Sequence, residues 1–364
     1  MLRVATDRTC WPRELPVAPI LQPLLGEEVR RPGATSWDGR FDAYASRAAS
    51  LFELTSIDDA DCVILPGDWY WVRGTSWRSG RQQELVERVR PLYERSREAR
   101  KRVVIFFTGD RSCDRIPFRD AHVFRESVFG SRLSPRDHPM PAFHEDLVTH
   151  HCAGSLVART WRPRPTVGFC GLARPKPVWR RAVGLAAYHV MVGLHERRID
   201  PSPYLGEVLR SDAVRRLEQS ADIDTNFVLR DSKVFFRDAD TRDLVDVRTE
   251  YVENLRDSDY VLCVRGSGNY SYRLYEAMCM GRVPVIVDTD LALPFSDVVD
   301  WQRLTVWVDR RQVDQLPERI QEFHSRLTPS EFVALQHSLR ELWLERLSPA
   351  GFFAQFSRLG AALP

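Results

Sequence analysis

Arg265-Gly266-Ser267-Gly268-Asn269 closes an apolar run from Asp259 to Val264. A run of that length and character is a buried parallel strand, and a glycine turn at its carboxyl end is where α/β sheets bind phosphorylated ligands. Gly266 and Gly268 allow the backbone to come close to a ligand, and a helix starting near Ser271 turns its first N–H groups towards the same spot. The spacing is GxG and not GxGxxG, so a dinucleotide fingerprint is not met, and a glycine turn also serves merely to bend a chain. Along the helix, Leu274, Ala277 and Met278 form an apolar stripe, while Arg273 and Glu276 stand three residues apart on another face. One reading is a surface ion pair worth a few tenths of a kcal/mol. The other gives Arg273 to a diphosphate and Glu276 to ribose hydroxyls, as acidic residues do in dinucleotide folds. The residues alone leave both readings open.

These side chains need strands and helices to place them. Cys62 to Pro66 reads as a buried strand, Gln82 to Lys101 as an amphipathic helix carrying Leu85, Val86, Val89, Leu92 and Tyr93, and Val103 to Phe107 as a second strand. Strand, helix and strand in this order make a right-handed βαβ unit. A second series follows prolines near Trp161 to Pro165: strand Thr166 to Cys170, helix Val178 to His195, strand Asp259 to Val264, helix Ser271 to Met280 and strand Val283 to Val287. The first fifty residues support no assignment, and the last sixty read as mainly helical. The expected fold is α/β, with an N-terminal domain over 1–160 and a C-terminal domain over 161–364. The final helices are free to pack back on the first domain.

Residues 259–301 resemble the exostosin family, glycosyltransferase family 47. The resemblance runs through Cys263-Val264-Arg265-Gly266, Ser271-Tyr272-Arg273-Leu274-Tyr275-Glu276-Ala277, Gly281-Arg282-Val283-Pro284-Val285, Leu293-Pro294-Phe295-Ser296 and Asp300-Trp301. It continues weakly upstream through Phe169-Cys170-Gly171, Arg180-Arg181 and residues 59–66. It implies a GT-B architecture, two Rossmann-like domains with an interdomain cleft, and inverting transfer of a sugar from a nucleotide-sugar donor, by family resemblance a uridine one, to a glycan or other hydroxyl acceptor. Arg265, Gly266, Gly268, Ser271, Arg273 and Glu276 then hold the donor, and Arg180 or Arg181 adds a phosphate contact. Two readings compete: a nucleotide-sugar epimerase on the same fold, and an inactive nucleotide- or glycan-binding protein.

Breaking a sugar–phosphate bond leaves negative charge on the diphosphate, which a divalent metal or fixed cations must hold. Asp288-Thr289-Asp290 has the spacing of a metal pair, but a turn-forming role fits it better. Arginines are expected to do this work, with no metal and no cofactor. Inversion also needs a base for the acceptor hydroxyl. Asp68 and Asp110 follow the ends of predicted strands, Asp110 being preferred, and Asp146 lies in the polar group His144-Glu145-Asp146. Trp69, Tyr70, Trp71 and Trp77 suit stacking on sugars, though such a cluster also builds a core.

Composition limits the alternatives. The 364 residues suit two domains, and 43% hydrophobic with 28% charged residues is a globular profile. A net charge of +2 gives no reason to expect nucleic acid as a partner. The seven cysteines form no CxxC pair and lie partly in apolar runs, so they read as buried thiols of a reducing compartment. With no apolar leader and no run of 18 apolar residues, the expectation is a cytoplasmic, bacterial protein whose membrane contact, if any, is peripheral.

Overall fold

The computed structural model describes residues 1–27, 39–73, 80–173, 205–230 and 241–360, with single positions between 179 and 190. Packing divides the chain into two units. The first comprises Met1–Phe143, Ala292–Pro294 and Glu345–Pro364, the second His144–Leu291 and Phe295–Leu344. The second unit thus starts ahead of the boundary expected at residue 160. The expected helix 178–195 falls mostly outside the described residues.

The first unit is built on a parallel sheet of β1 (Leu2–Ala5), β2 (Phe52–Leu54), β3 (Cys62–Ile64), β4 (Arg102–Phe107), β5 (His122–Arg125) and β6 (Asp137–Pro139), in the order β2-β1-β3-β4-β5-β6. The predicted βαβ unit is present. Helix Gly80–Glu98 buries Leu85, Val86, Val89, Leu92 and Tyr93 and returns the chain so that Cys62 lies opposite Arg102. Helix Pro349–Leu359, from the other end of the chain, completes this core. Its Phe353 ring lies 4.4 Å from Tyr44 and 6.0 Å from Phe106, and Phe356 lies 5.3 Å from Phe124.

The second unit holds five parallel strands: β7 (Thr166–Leu172), β8 (Asp224–Arg230), β9 (Tyr260–Cys263), β10 (Val283–Asp288) and β11 (Val306–Asp309), in the order β11-β10-β9-β7-β8. Strand β9 is buried throughout and β10 nearly so, which is why both read as continuous apolar runs. After β7 the chain moves to one side for β8, then crosses back for β9. The strand order therefore reverses between β7 and β9, and ligands of open α/β sheets bind outside the carboxyl ends at such a reversal. Two parallel α/β units of this kind fit a GT-B-like fold. Among the described residues, no helix is long and apolar enough to cross a membrane.

Candidate functional site

The turn after β9 lies at this reversal. Arg265, only 3% exposed, braces its own turn: Nη2 donates to the Ser267 carbonyl at 2.8 Å and Nη1 to Asn269 Oδ1 at 3.3 Å. Asn269 is held in turn by the Thr289 hydroxyl at 2.6 Å and donates to the Asp290 carbonyl at 3.0 Å. A Cβ on Gly266 would meet nothing within 4 Å, so the backbone there faces open space. Helix Tyr272–Cys279 follows with Ser271 as N-cap, and the Ser271 side chain makes no capping hydrogen bond.

Arg273 runs from this helix to the end of β7. Its Nη2 donates to the Cys170 carbonyl at 2.7 Å, its guanidinium lies 4.4 Å from the Phe169 ring centre, and among the described residues its buried Nε has no hydrogen-bond partner. Gly171 makes room for it. With φ at +152° and the site of a Cβ 2.5 Å from Arg273 Nη2, no other residue fits there without moving the guanidinium. A second arginine that sequence reasoning missed, Arg210, reaches the same place from helix Leu205–Glu218. Its Nη1 donates to the Leu172 carbonyl at 2.8 Å. Burial, then the like charge of Arg273, pulls the Arg210 pKa down to about 10, and Glu207 offsets only part of this. Guanidinium groups gathered at strand ends form a site for an anion. Nothing in the spacing of Arg210 marks it, because it arrives from a separate helix. Arg180 and Arg181 lie outside the described residues.

Glu276 is 6% exposed, so the surface ion-pair reading of Arg273 and Glu276 is corrected. Among the described residues the two form no ion pair, because each is drawn to a different neighbour. Glu276 Oε2 accepts from the Tyr251 hydroxyl, and Oε1 lies 3.4 Å from Arg248 Nη1. Arg248 bridges to Glu145, with Nε donating to Oε1 at 2.9 Å. Burial alone would lower the Arg248 pKa, but Glu276 and Glu145 beside it outweigh that and raise it. Burial, reinforced by Glu276, pushes the Tyr251 phenol well up, so it stays protonated and donates. Both Arg248 and Tyr251 lie on helix Thr241–Arg256, outside the segment that drew attention in the sequence.

The expected bases separate. Asp146 belongs to the second unit and caps helix Leu147–His151: Oδ1 accepts from Val148 N and Thr149 N, and Oδ2 from Arg340 Nη2 at 2.7 Å. Burial works against its charge, but Arg340 and the cap hold its pKa below the usual value. It is a structural cap, and its role as a base is withdrawn. His144 beside it is packed, with Nδ1 2.6 Å from the Glu145 carbonyl, Nε2 accepting from Trp343 Nε1 at 3.0 Å, and burial lowering its pKa. Asp68 and Asp110 do lie past the ends of β3 and β4. Asp68 is buried, its Oδ1 accepting from Tyr70 N at 2.8 Å and Thr108 N at 3.1 Å, whereas Asp110 is exposed. Beside them, unforeseen, comes Glu126 just past the end of β5. It is buried, and Oε2 accepts from Gly109 N at 2.6 Å. Strand β5 has only four residues, too short for a periodic signal.

Asp288 holds its loop, Oδ1 accepting from Leu291 N at 2.8 Å and Oδ2 from Trp307 Nε1 at 3.1 Å. Among the described residues, no group of three or more His, Cys, Asp or Glu side chains could hold a metal ion. Trp69 is core, 2% exposed and packed edge-on against Phe118, while Trp77 lies outside the described residues.

Residues 209–323 match the model of the Exostosin GT47 domain. Over 77 residues the chain is 39% identical to a probable glucuronosyltransferase of Oryza sativa subsp. japonica, covering 20% of this chain and 18% of that one. Over 77 residues it is 38% identical to the probable beta-1,4-xylosyltransferase IRX10L of Arabidopsis thaliana, covering 20% and 19%. Over 97 residues it is 32% identical to Exostosin-1 of Drosophila melanogaster, covering 26% and 12%. The chain thus spans less than a fifth of the length of these curated relatives. A crystal structure of a glycosyltransferase from Rickettsia africae ESF-5 overlays loosely, with TM-score 0.38 and 9% identity over 99% of this chain and 98% of that one.

Proposed function

From the exostosin GT47 domain that residues 209–323 carry, we propose that this chain is an inverting glycosyltransferase using a nucleotide-sugar donor. The observation that carries the reading is the gathering of Arg265, Arg273 and Arg210 where the strand order of the second unit reverses. These arginines take the diphosphate, with the first N–H groups of helix Tyr272–Cys279 beside them, and Glu276 takes the ribose hydroxyls. As the acceptor oxygen bonds to the anomeric carbon, the bond from that carbon to the phosphate oxygen breaks. Its electron pair leaves on the diphosphate, where fixed guanidinium charge holds it without a divalent metal. Uridine donors come first in a screen, and the names of the relatives put glucuronosyl and xylosyl groups at its head. The acceptor is a glycan or another hydroxyl compound. Seven free thiols fit a reducing, cytoplasmic setting.

Calorimetry of uridine diphosphate, followed by turnover of uridine-diphosphate sugars in excess chelator, tests this. Binding with chelator-resistant turnover is expected. Loss of turnover that manganese or magnesium restores would overturn metal independence, and absence of nucleotide binding would overturn the donor site.

A further inference from the structure

Glu276 is held from outside its own helix. Arg248 and Tyr251 stand three residues apart on helix Thr241–Arg256, so one face of that helix presents both. Tyr251 is 4% exposed and its hydroxyl donates to Glu276 Oε2, while Arg248 Nη1 lies 3.4 Å from Oε1. The arginine is anchored elsewhere. Its Nε and Nη2 both donate to Glu145 Oε1, the first at 2.9 Å, and its guanidinium lies 5.5 Å from the Tyr251 ring centre. Farther along, the same helix is pinned to β8. Asn254 Nδ2 donates to the Asn226 carbonyl at 2.7 Å, and Asn226 Nδ2 donates to the Asn254 carbonyl at 3.2 Å. All of these residues belong to the second unit.

We propose that Tyr251, with Arg248 behind it, is a positioning residue that fixes the Glu276 carboxylate to accept from the donor's ribose hydroxyls, so that the site selects ribonucleotides; the assignment rests on the nucleotide-sugar reading. A glutamate side chain is long and loses rotamer freedom when it takes a ligand, and one fixed beforehand does not bear that cost at the moment of binding. The two oxygens are held unequally. Oε2 takes the Tyr251 phenol, which burial beside Glu276 keeps protonated and able to donate. Oε1 has only the 3.4 Å contact with Arg248, beyond the usual length of a good hydrogen bond, so it is the oxygen left to accept from a ribose hydroxyl. Arg248 sets positive charge beside Oε1 without saturating it, because Glu145 takes its closer bonds. A buried acceptor that meets a ligand lacking the hydroxyl is left unpaired, and that penalty is what makes such a site discriminate.

Calorimetry on the full chain with uridine diphosphate and with its 2′,3′-dideoxy form, which lacks both hydroxyls, tests this. Wild type should prefer the ribonucleotide by roughly tenfold or more, the effect of a charge-assisted contact. Tyr251→Phe keeps the ring and its packing and removes the hydroxyl. It should shrink that preference several-fold, by weakening the ribonucleotide while leaving the dideoxy affinity unchanged. Glu276→Ala should remove the preference, and adding Tyr251→Phe to it should change the ratio no further, since the two act through one contact. A merely structural Tyr251 would lower the melting temperature and weaken both nucleotides equally, leaving the ratio at its wild-type value, and that result would overturn the proposal. A Tyr251→Phe effect of equal size with and without Glu276 would do the same. A wild-type chain that binds both nucleotides equally would remove the ribose role of Glu276, and this proposal with it, while the arginine site would stand. A wild-type chain that binds neither would sink the donor reading itself.

Discussion

At the residue scale, the second unit places unlike demands on neighbouring charges. On the proposed donor reading Arg273 and Glu276 each touch the nucleotide, so Arg273→Ala and Glu276→Ala should each weaken uridine diphosphate binding by roughly 1.5–3 kcal/mol, the worth of a charge-assisted contact. Calorimetry checks this, and unchanged affinity in both would remove them from the donor site. Arg248 plays another part, since it lies between two buried carboxylates, Glu145 and Glu276. Arg248→Met should cost about 3–5 kcal/mol in denaturant unfolding, because it leaves uncompensated charge in a dry site. The pH dependence follows from the sign of the shifts. Glu145 and Asp146 both have folded pKa values below their ordinary 4.5 and 3.8 despite burial, so the stability they contribute is present above those values. It is lost as pH falls through the folded ones. Without Arg248 the folded pKa of Glu145 rises towards its unfolded value, so less stability depends on its charge, and unfolding free energy should fall less steeply than in wild type as pH drops through about 4.5.

At the element scale, β7 carries two glycines with different jobs. A Cβ at Gly168 would stand 2.1 Å from the Ser258 hydroxyl and 2.7 Å from its Cβ, so here glycine lets the strand approach its neighbours. Gly168→Ala should destabilise the fold by about 1–3 kcal/mol, the usual cost of overpacking, read as a lower denaturation midpoint. Gly171 instead makes room for the tip of Arg273 and adopts a positive φ. Gly171→Ala should show its main effect in nucleotide affinity, with a smaller loss of stability because a side-chain end can move. Equal effects of the two substitutions on both measurements would show that the end of β7 does not position Arg273.

At the scale of the whole molecule, the first unit is assembled from both ends of the chain. Helix Pro349–Leu359 supplies Phe352, Phe353 and Phe356 to a cluster with Tyr44, Phe106, Phe124 and Phe143. Phe353 is 1% exposed, and Phe353→Ala should cost about 3–5 kcal/mol. Hydrogen exchange should show lost protection in β1, β4 and β5, with β7, β9 and β10 little changed. Uniform loss across both sheets would mean that the two units unfold as one.

The sequence by itself determined the strands that are buried on both sides and the turn they feed. Val103–Phe107, Asp259–Val264 and Val283–Val287 are apolar because no face of them meets water, and the residues of the 265–276 segment are close in the chain as well as in space. Strands β1, β2, β5 and β6 have only three or four residues, so hydrogen bonding to neighbours, and not periodicity, makes them strands. The partners of the site were decided the same way. Arg210 reaches the end of β7, and Arg248 and Tyr251 reach Glu276, from other helices, and Glu126 meets the 108–110 loop only because neighbouring strands lie side by side. Chemistry that depends on side chains distant in the chain is set by strand order and register, which a single sequence does not spell out. Chemistry confined to one turn and one helix is set by local spacing, which it does.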